Sequence, residues 1–145
     1  MTELARRGLL PAGLRDVLPP EADQEASVIQ RLMAVCASYG YRSVKPPLVE
    51  FEDSLLAGSG AAMGPNMFRV MDPVSQRMLA LRADMTLQIA RIAATRLKKL
   101  PRPLRLSYAG EVLRVKGDEL RPERQFGQVG AELIGSDSPA ADAEA

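Results

Sequence analysis

The 145-residue sequence contains no histidine and a single cysteine. Without histidine it lacks the commonest metal ligand and the commonest general base near neutral pH. With only one thiol as well, a zinc site is excluded, and Cys36 alone cannot build an internal disulfide. Neither a metal nor a cofactor is expected. Long apolar runs are missing too. No stretch approaches the ~20 residues that a membrane span needs. Arg6 and Arg7 are not followed by the apolar region of a signal peptide, so the cytoplasm is the expected compartment. Net charge is only +1, so no whole-molecule field points to nucleic acid or membrane.

What is present has the composition of an ordinary globular domain, at a length that supports one core. Charge is uneven along it. From Arg91 to Arg124 there are ten Lys/Arg against four Asp/Glu, and beyond Arg124 every ionisable residue is acidic. That run reads as a solvated helix end and loop, with a local basic face as the alternative.

Residues 1–18 read as an extended arm, broken by Gly8, Pro11 and Gly13. Pro19-Pro20-Glu21 opens a helix, with acids near the positive end of its dipole. Ala22, Ala26, Ile29, Met33 and Cys36 recur at helical spacing, and Gly40 supplies a stop. In that apolar pattern Cys36 reads as a buried structural thiol. Pro46 and Pro47 hold the following stretch extended and belong at a sheet edge or an interface. Residues 58–65 read as a flexible connection. Met67–Met71 and Met78–Leu81 read as a hairpin around Asp72-Pro73-Val74-Ser75. A second helix is expected over Thr86–Leu100, closed by Lys98 and Lys99.

Leu104, Leu106 and Tyr108 alternate with Arg105, Ser107 and Ala109, which predicts a strand to about Val115. After a charged loop, 124–134 is another strand. One face of it carries Arg124, Phe126, Gln128, Gly130 and Glu132. That face suits the floor of a polar pocket, or the solvent side of an antiparallel sheet. Ser138-Pro139 starts a further helix, and the sequence stops about two turns later. We therefore expect a piece of a longer protein.

These residues carry a resemblance. Gly13-Leu14-Arg15-Asp16-Val17-Leu18-Pro19-Pro20-Glu21 resembles the opening of histidyl-tRNA synthetases. Residues 19–50 are similar to motif 1 of class II synthetases, which builds the dimer interface of that family, and Pro46 and Pro47 fall at its interface-forming end. Leu81-Arg82-Ala83-Asp84-Met85-Thr86 resembles the synthetase segment Leu-Arg-Pro-Glu-Gly-Thr. Residues 104–135 resemble motif 2. The whole chain, 1–145, thus reads as the N-terminal portion of a synthetase-like domain. The resemblance implies an α+β fold, an antiparallel sheet flanked by helices, incomplete here.

The same resemblance implies an amino-acid pocket. Asp84 stands where the family has a glutamate that meets the α-amino group, and Thr86 at the neighbouring contact. Arg114 matches the motif 2 arginine that holds carboxylate or phosphate oxygens. Gln128 and Glu132 match pocket-lining residues, and Glu132 can accept from an imidazole N–H. Asp84 and Thr86 also read as an N-cap pair, a role compatible with ligand contact.

Departures from the family pattern bear on function. Lys116 stands where motif 2 has an acid that contacts ATP, and motif 3 is not in the chain. This pattern of loss resembles the regulatory subunits of ATP phosphoribosyltransferase, which have no chemistry of their own. That resemblance implies three partners: the short catalytic subunit, a second copy of the chain, and histidine as feedback inhibitor. Neither tRNA nor a membrane is implied. Two other readings stay open, a fragment of a divergent histidyl-tRNA synthetase and a stand-alone amino-acid-binding module.

Overall fold

Two ten-residue strands carry the fold in the computed structural model, which describes residues 8–144. Strand β5 (Leu104–Leu113) pairs antiparallel with β6 (Gln125–Ile134) from Leu104↔Ile134 to Leu113↔Gln125. Leu104, Leu106, Tyr108 and Val112 of β5 are buried. They pack against Met85, Ile89 and Ala93 on and beside helix α3 (Thr86–Thr95). This is the main core, and its strand face follows the period-2 alternation of the sequence.

Helix α1 (Glu21–Ser38) precedes β1 (Arg42–Ser43), and the chain turns between them at Gly40, whose φ is +82°. β1 joins β5 in parallel, in the order β1-β5-β6, so this sheet is mixed, with an antiparallel main ladder. β2 (Val49–Phe51), β3 (Arg69–Met71) and β4 (Met78–Leu81) form a second, antiparallel sheet in the order β2-β4-β3. The short helix α2 (Glu52–Leu56) and a 3-10 segment (Gly58–Asn66) follow β2. They help build a smaller core of Leu55, Met67, Ala80 and Ala83. A last helix, α4 (Pro139–Glu144), is held by Glu144, which accepts from Arg105 at 2.5 and 2.6 Å and from Tyr41. Among the described residues no helix is long and apolar enough to cross a membrane.

Four local expectations change. The connection expected to be flexible, 58–65, is the 3-10 segment, and its glycines serve close packing: a Cβ on Gly60 would lie 2.0 Å from the Leu55 carbonyl oxygen. Helix α3 ends at Thr95 rather than Leu100, leaving Lys98 and Lys99 in the turns beyond. There Leu97 bonds back to Ile92, and Arg102 donates to the Ala93 carbonyl at 3.0 Å, supplying a partner to an open helix end. Cys36 is half-buried rather than enclosed, because α1 buries no residue fully. Ala26, expected on the inner stripe, is exposed. The expected arm has neither helix nor strand over residues 8–18, and its first seven residues, with Arg6 and Arg7, lie outside the described ones. Arg124 anchors it, its backbone N–H donating to Gly13 O at 2.7 Å and its Nη1 to Ala12 O at 3.0 Å.

Arg82 joins the two sheets. It is only 7% exposed. Its Nε donates to the Glu111 carbonyl at 2.7 Å and its Nη1 to the Pro46 carbonyl at 3.0 Å. Its own backbone takes part on both sides, with Arg82 N bonding Leu48 O and Leu113 N bonding Arg82 O. A Cβ on Gly110 would stand 2.5 Å from its Nη2, so the guanidinium passes where a side chain is missing. Burial lowers its pKa from the ordinary arginine value, while Glu111 and Glu50 oppose that shift. Replacing Arg82 by Met leaves two inward carbonyls without donors. The expected loss is about 2–4 kcal/mol of unfolding free energy, with Lys recovering only part because it lacks the planar fork. Urea unfolding checks this, and a Met variant within about 0.5 kcal/mol of the parent removes Arg82 from its central role.

Candidate functional site

The turn from β4 into α3 sets out Asp84, Met85 and Thr86 above the β5–β6 ladder. On β6, Gln128 lies opposite Gly110, Gly130 opposite Tyr108, and Glu132 opposite Leu106. Strand alternation puts Gln128, Gly130 and Glu132 on one face, the one that meets this turn.

Hydrogen bonds then tie the residues together. One Asp84 oxygen accepts from Thr86 N at 2.7 Å and the other from Gln128 Nε2 at 3.1 Å. Gln128 Oε1 accepts from Met85 N at 2.9 Å, which fixes the orientation of its amide. Thr86 Oγ1 lies 3.1 Å from the Tyr108 hydroxyl, which donates to Glu132 Oε1 at 3.1 Å. Arg114 reaches the Ala83 carbonyl with Nε at 3.4 Å, and its guanidinium stands 5.0 Å from the Phe126 ring centroid. The five residues expected at an amino-acid pocket therefore assemble around one turn. Asp84 accepts from the first amide of α3 and faces Gln128 at once, although the cap position itself falls on Met85, which makes no side-chain cap bond, and not on the expected Asp84–Thr86 pair.

Thr86 and Glu132 also line a hollow of about 290 Å³ with Ala90, Ala93, Ala94 and Arg102. Small side chains on α3 keep it open, and the Glu132 carboxyl gives it an acceptor. Asp84 and Arg114 carry opposite charges at the β4–α3 turn itself, outside that lining. An arrangement of this kind can hold a small molecule that carries an ammonium, an acid group and a donor on its side chain.

Pro46 and Pro47 do not join this cluster. Pro46 is buried and Pro47 exposed. Their carbonyls turn inward, Pro46 O to Arg82 and Pro47 O to Gln88 Nε2 at 2.8 Å. A second cleft, about 710 Å³, lies between the arm, α1 and β6, with Glu25 and Glu111 near Gly127. None of Asp84, Thr86, Arg114, Gln128 and Glu132 lines that cleft, so it is separate from the site.

Two residues of the site have no role in the sequence reading. Arg82 braces the turn that carries Asp84. Tyr108, 3% exposed, appears in sequence only as one apolar step of a strand. Its hydroxyl pKa is raised from the ordinary value, first by burial and further by Glu132, with the Thr86 contact opposing. The ring lies over Gly130, where a Cβ would come within 2.4 Å of it. The signal was the Tyr108↔Gly130 pairing, visible only once the register is known. Gly130→Ala is expected to cost about 1–3 kcal/mol of stability by overpacking and to push the phenol off Glu132. Denaturant unfolding together with a crystal structure of the variant tests both, and an unmoved Tyr108 rejects the contact.

Comparison with known proteins adds to this geometry. The family model described as Histidyl-tRNA synthetase matches residues 13–145. A protein of Paramagnetospirillum magneticum named ATP phosphoribosyltransferase regulatory subunit is 69% identical over 144 residues, which are 99% of this chain and 38% of the relative. One of the same name from Rhodospirillum centenum is 66% identical over 94% of this chain and 35% of its own. The chain thus spans well under half the length of these relatives. Among solved structures, an ATP phosphoribosyltransferase regulatory subunit/histidyl-tRNA synthetase from Bacillus halodurans C superposes with a TM-score of 0.82 at 31% identity, over 94% of this chain and 35% of that one. The apo histidyl-tRNA synthetase of S. aureus gives 0.75 at 27%, over 94% and 31%. With residues 13–145 matched by that family model, the chain belongs to the histidyl-tRNA synthetase family.

Proposed function

We propose that the full-length protein containing this chain is the non-catalytic regulatory subunit of ATP phosphoribosyltransferase. In this role it is required by the short catalytic subunit for the first step of histidine biosynthesis, in which ATP is joined to phosphoribosyl pyrophosphate. The observation that carries the reading is the 69% identity, along 99% of this chain, to a protein of that name. Lys116 supports it independently. It stands exposed in the loop after β5, where the synthetase pattern has an acid for ATP. A cation in place of that acceptor disfavours family-type ATP recognition.

The pocket fits histidine feedback. An α-ammonium can meet Asp84 and Thr86, a carboxylate can meet Arg114, and an imidazole N–H can reach Glu132. Feedback then requires that histidine favour one of two states of the complex, since coupling is a difference in affinity between states. The second reading, a divergent histidyl-tRNA synthetase, draws on the same pocket and on the likeness to the S. aureus enzyme. Lys116 weighs against it.

Self-association belongs to the same proposal. Helix α1 turns Leu32, Val35 and Tyr39 outward at 46%, 55% and 71% exposure, with Val28 on the same side. These fall at i, i+4, i+7 and i+11, one apolar stripe of a helix. A second copy is the occupant that the motif 1 resemblance names. Pro47 offers surface to such an interface, whereas Pro46 is already enclosed.

Adding the full-length protein to a cognate short catalytic subunit is expected to raise turnover strongly, and histidine is expected to reverse the gain. No activation by a folded protein rejects the regulatory reading, and histidine-dependent pyrophosphate exchange would put the synthetase first. Leu32→Asp is expected to shift the full-length protein toward monomer in light scattering. It should leave the melting of the monomer within about 0.5 kcal/mol, because the position is already exposed. A dimer of unchanged strength removes α1 from the interface.

A further inference from the structure

The Tyr108 hydroxyl stands between the two ends of the pocket, 3.1 Å from Glu132 Oε1 and 3.1 Å from Thr86 Oγ1. A phenol has one proton to give, and a carboxylate only accepts. The Tyr108 proton therefore points to Glu132. The remaining contact is satisfied only if Thr86 donates its own proton to the phenol oxygen. Thr86, which is exposed, is then left with lone pairs facing outward beside Asp84. Lone pairs are what an ammonium at Asp84 requires.

The chain of bonds is reversible. If the group at position 132 donates instead of accepting, Tyr108 turns its proton to Thr86. The Thr86 proton is then free to point out of the pocket, toward the ammonium. Tyr108 cannot avoid the choice by swinging away. Its ring is enclosed in the main core and rests on Gly130, which has no Cβ to hold it off.

We propose that Tyr108 is a positioning residue that relays the hydrogen-bond polarity of Glu132 to Thr86, so that the contacts for the ligand's side chain and for its amino group are set together. The inference rests on the amino-acid-pocket reading above. It narrows the ligand to a zwitterionic amino acid whose side chain donates a hydrogen bond, because this bond order presents Glu132 and Thr86 both as acceptors.

The test is a mutant cycle on the full-length protein, with histidine affinity measured by calorimetry. Thr86→Val, Glu132→Gln and the double variant are compared, first with Tyr108 in place and then in the Tyr108→Phe background. Phe keeps the ring over Gly130 and removes only the hydroxyl. With Tyr108, the two effects on Kd should depart from simple multiplication by at least about three-fold. In the Tyr108→Phe background they should multiply. Thr86→Ser, which retains a hydroxyl and touches no buried packing, should preserve the coupling to Glu132→Gln whether or not the Phe variant is stable. Equal coupling in both backgrounds, or none in either, overturns the relay while leaving the pocket standing. A wild-type protein that binds no histidine overturns the pocket, and the relay with it.

Discussion

The buried guanidinium of Arg82 is the interaction on which the other elements depend. A charge at 7% exposure is costly unless hydrogen-bonded. Here its bonds go to backbone carbonyls, one on β5 and one in the extended segment after β1. Those partners cannot move without moving their strands. The β4–α3 turn is consequently held against β5, and the two sheets are held to each other. Gly110 is the matching condition, because any larger residue would occupy the guanidinium's path. Glu50 stiffens the same corner. It accepts from Arg91 and, at 2.9 Å, from Gln88, whose amide also reaches Pro47 O.

From that brace follows the state of the site. Gln128 gives its carbonyl to Met85 N and its amide to Asp84, and Tyr108 spans Thr86 and Glu132. Asp84 and Gln128 thus satisfy each other across the turn and Tyr108 is bonded at both ends, which is the stable arrangement for half-buried donors and acceptors. A ligand at Asp84 must match the bond that Gln128 makes there, while Thr86 and Glu132 retain lone pairs for further contacts. A partial match leaves groups unpaired, and unpaired buried groups are costly. Selectivity then comes from matching these contacts together more than from attraction at any one of them.

The parts legible in sequence are those governed by local periodicity. β5 and β6 followed from alternation, the β3–β4 hairpin from its Asp-Pro turn, and the start of α1 from Pro20 and the acids after it. Asp72 shows why that turn was readable, since its carboxylate accepts from Val74 N and Ser75 N within the turn itself. What escaped depends on distant partners. The early end of α3 rests on Arg102 returning to Ala93 O, and the order of 58–65 on packing against Leu55. The parallel pairing of β1 with β5 joins segments some sixty residues apart, shown by Arg42↔Leu106. Of the candidate site, the five residues were reached through family resemblance and not through spacing alone. Tyr108 was out of reach of both, because its importance lies in which residue faces it across the ladder.

The layout also bears on how a synthetase-like fold can part with one activity and keep another capacity. The proposed amino-acid pocket is built into the β4–α3 turn and the middle of β5 and β6, and that turn is braced by Arg82. Lys116 lies outside that braced region, in a loop that closes on itself through Asp118, whose Oδ1 accepts from Leu120 N and Arg121 N. A change of sign at an exposed loop position alters nothing in the core, so it costs the fold little. A change at Asp84, Gln128 or Tyr108 would break bonds that position α3. Under the proposed reading, ATP handling is the more dispensable function on physical grounds, and the proposed amino-acid pocket is the part that the fold itself protects. A protein left with such a pocket and no chemistry can still convert occupancy into a change of state, provided that a partner responds to it.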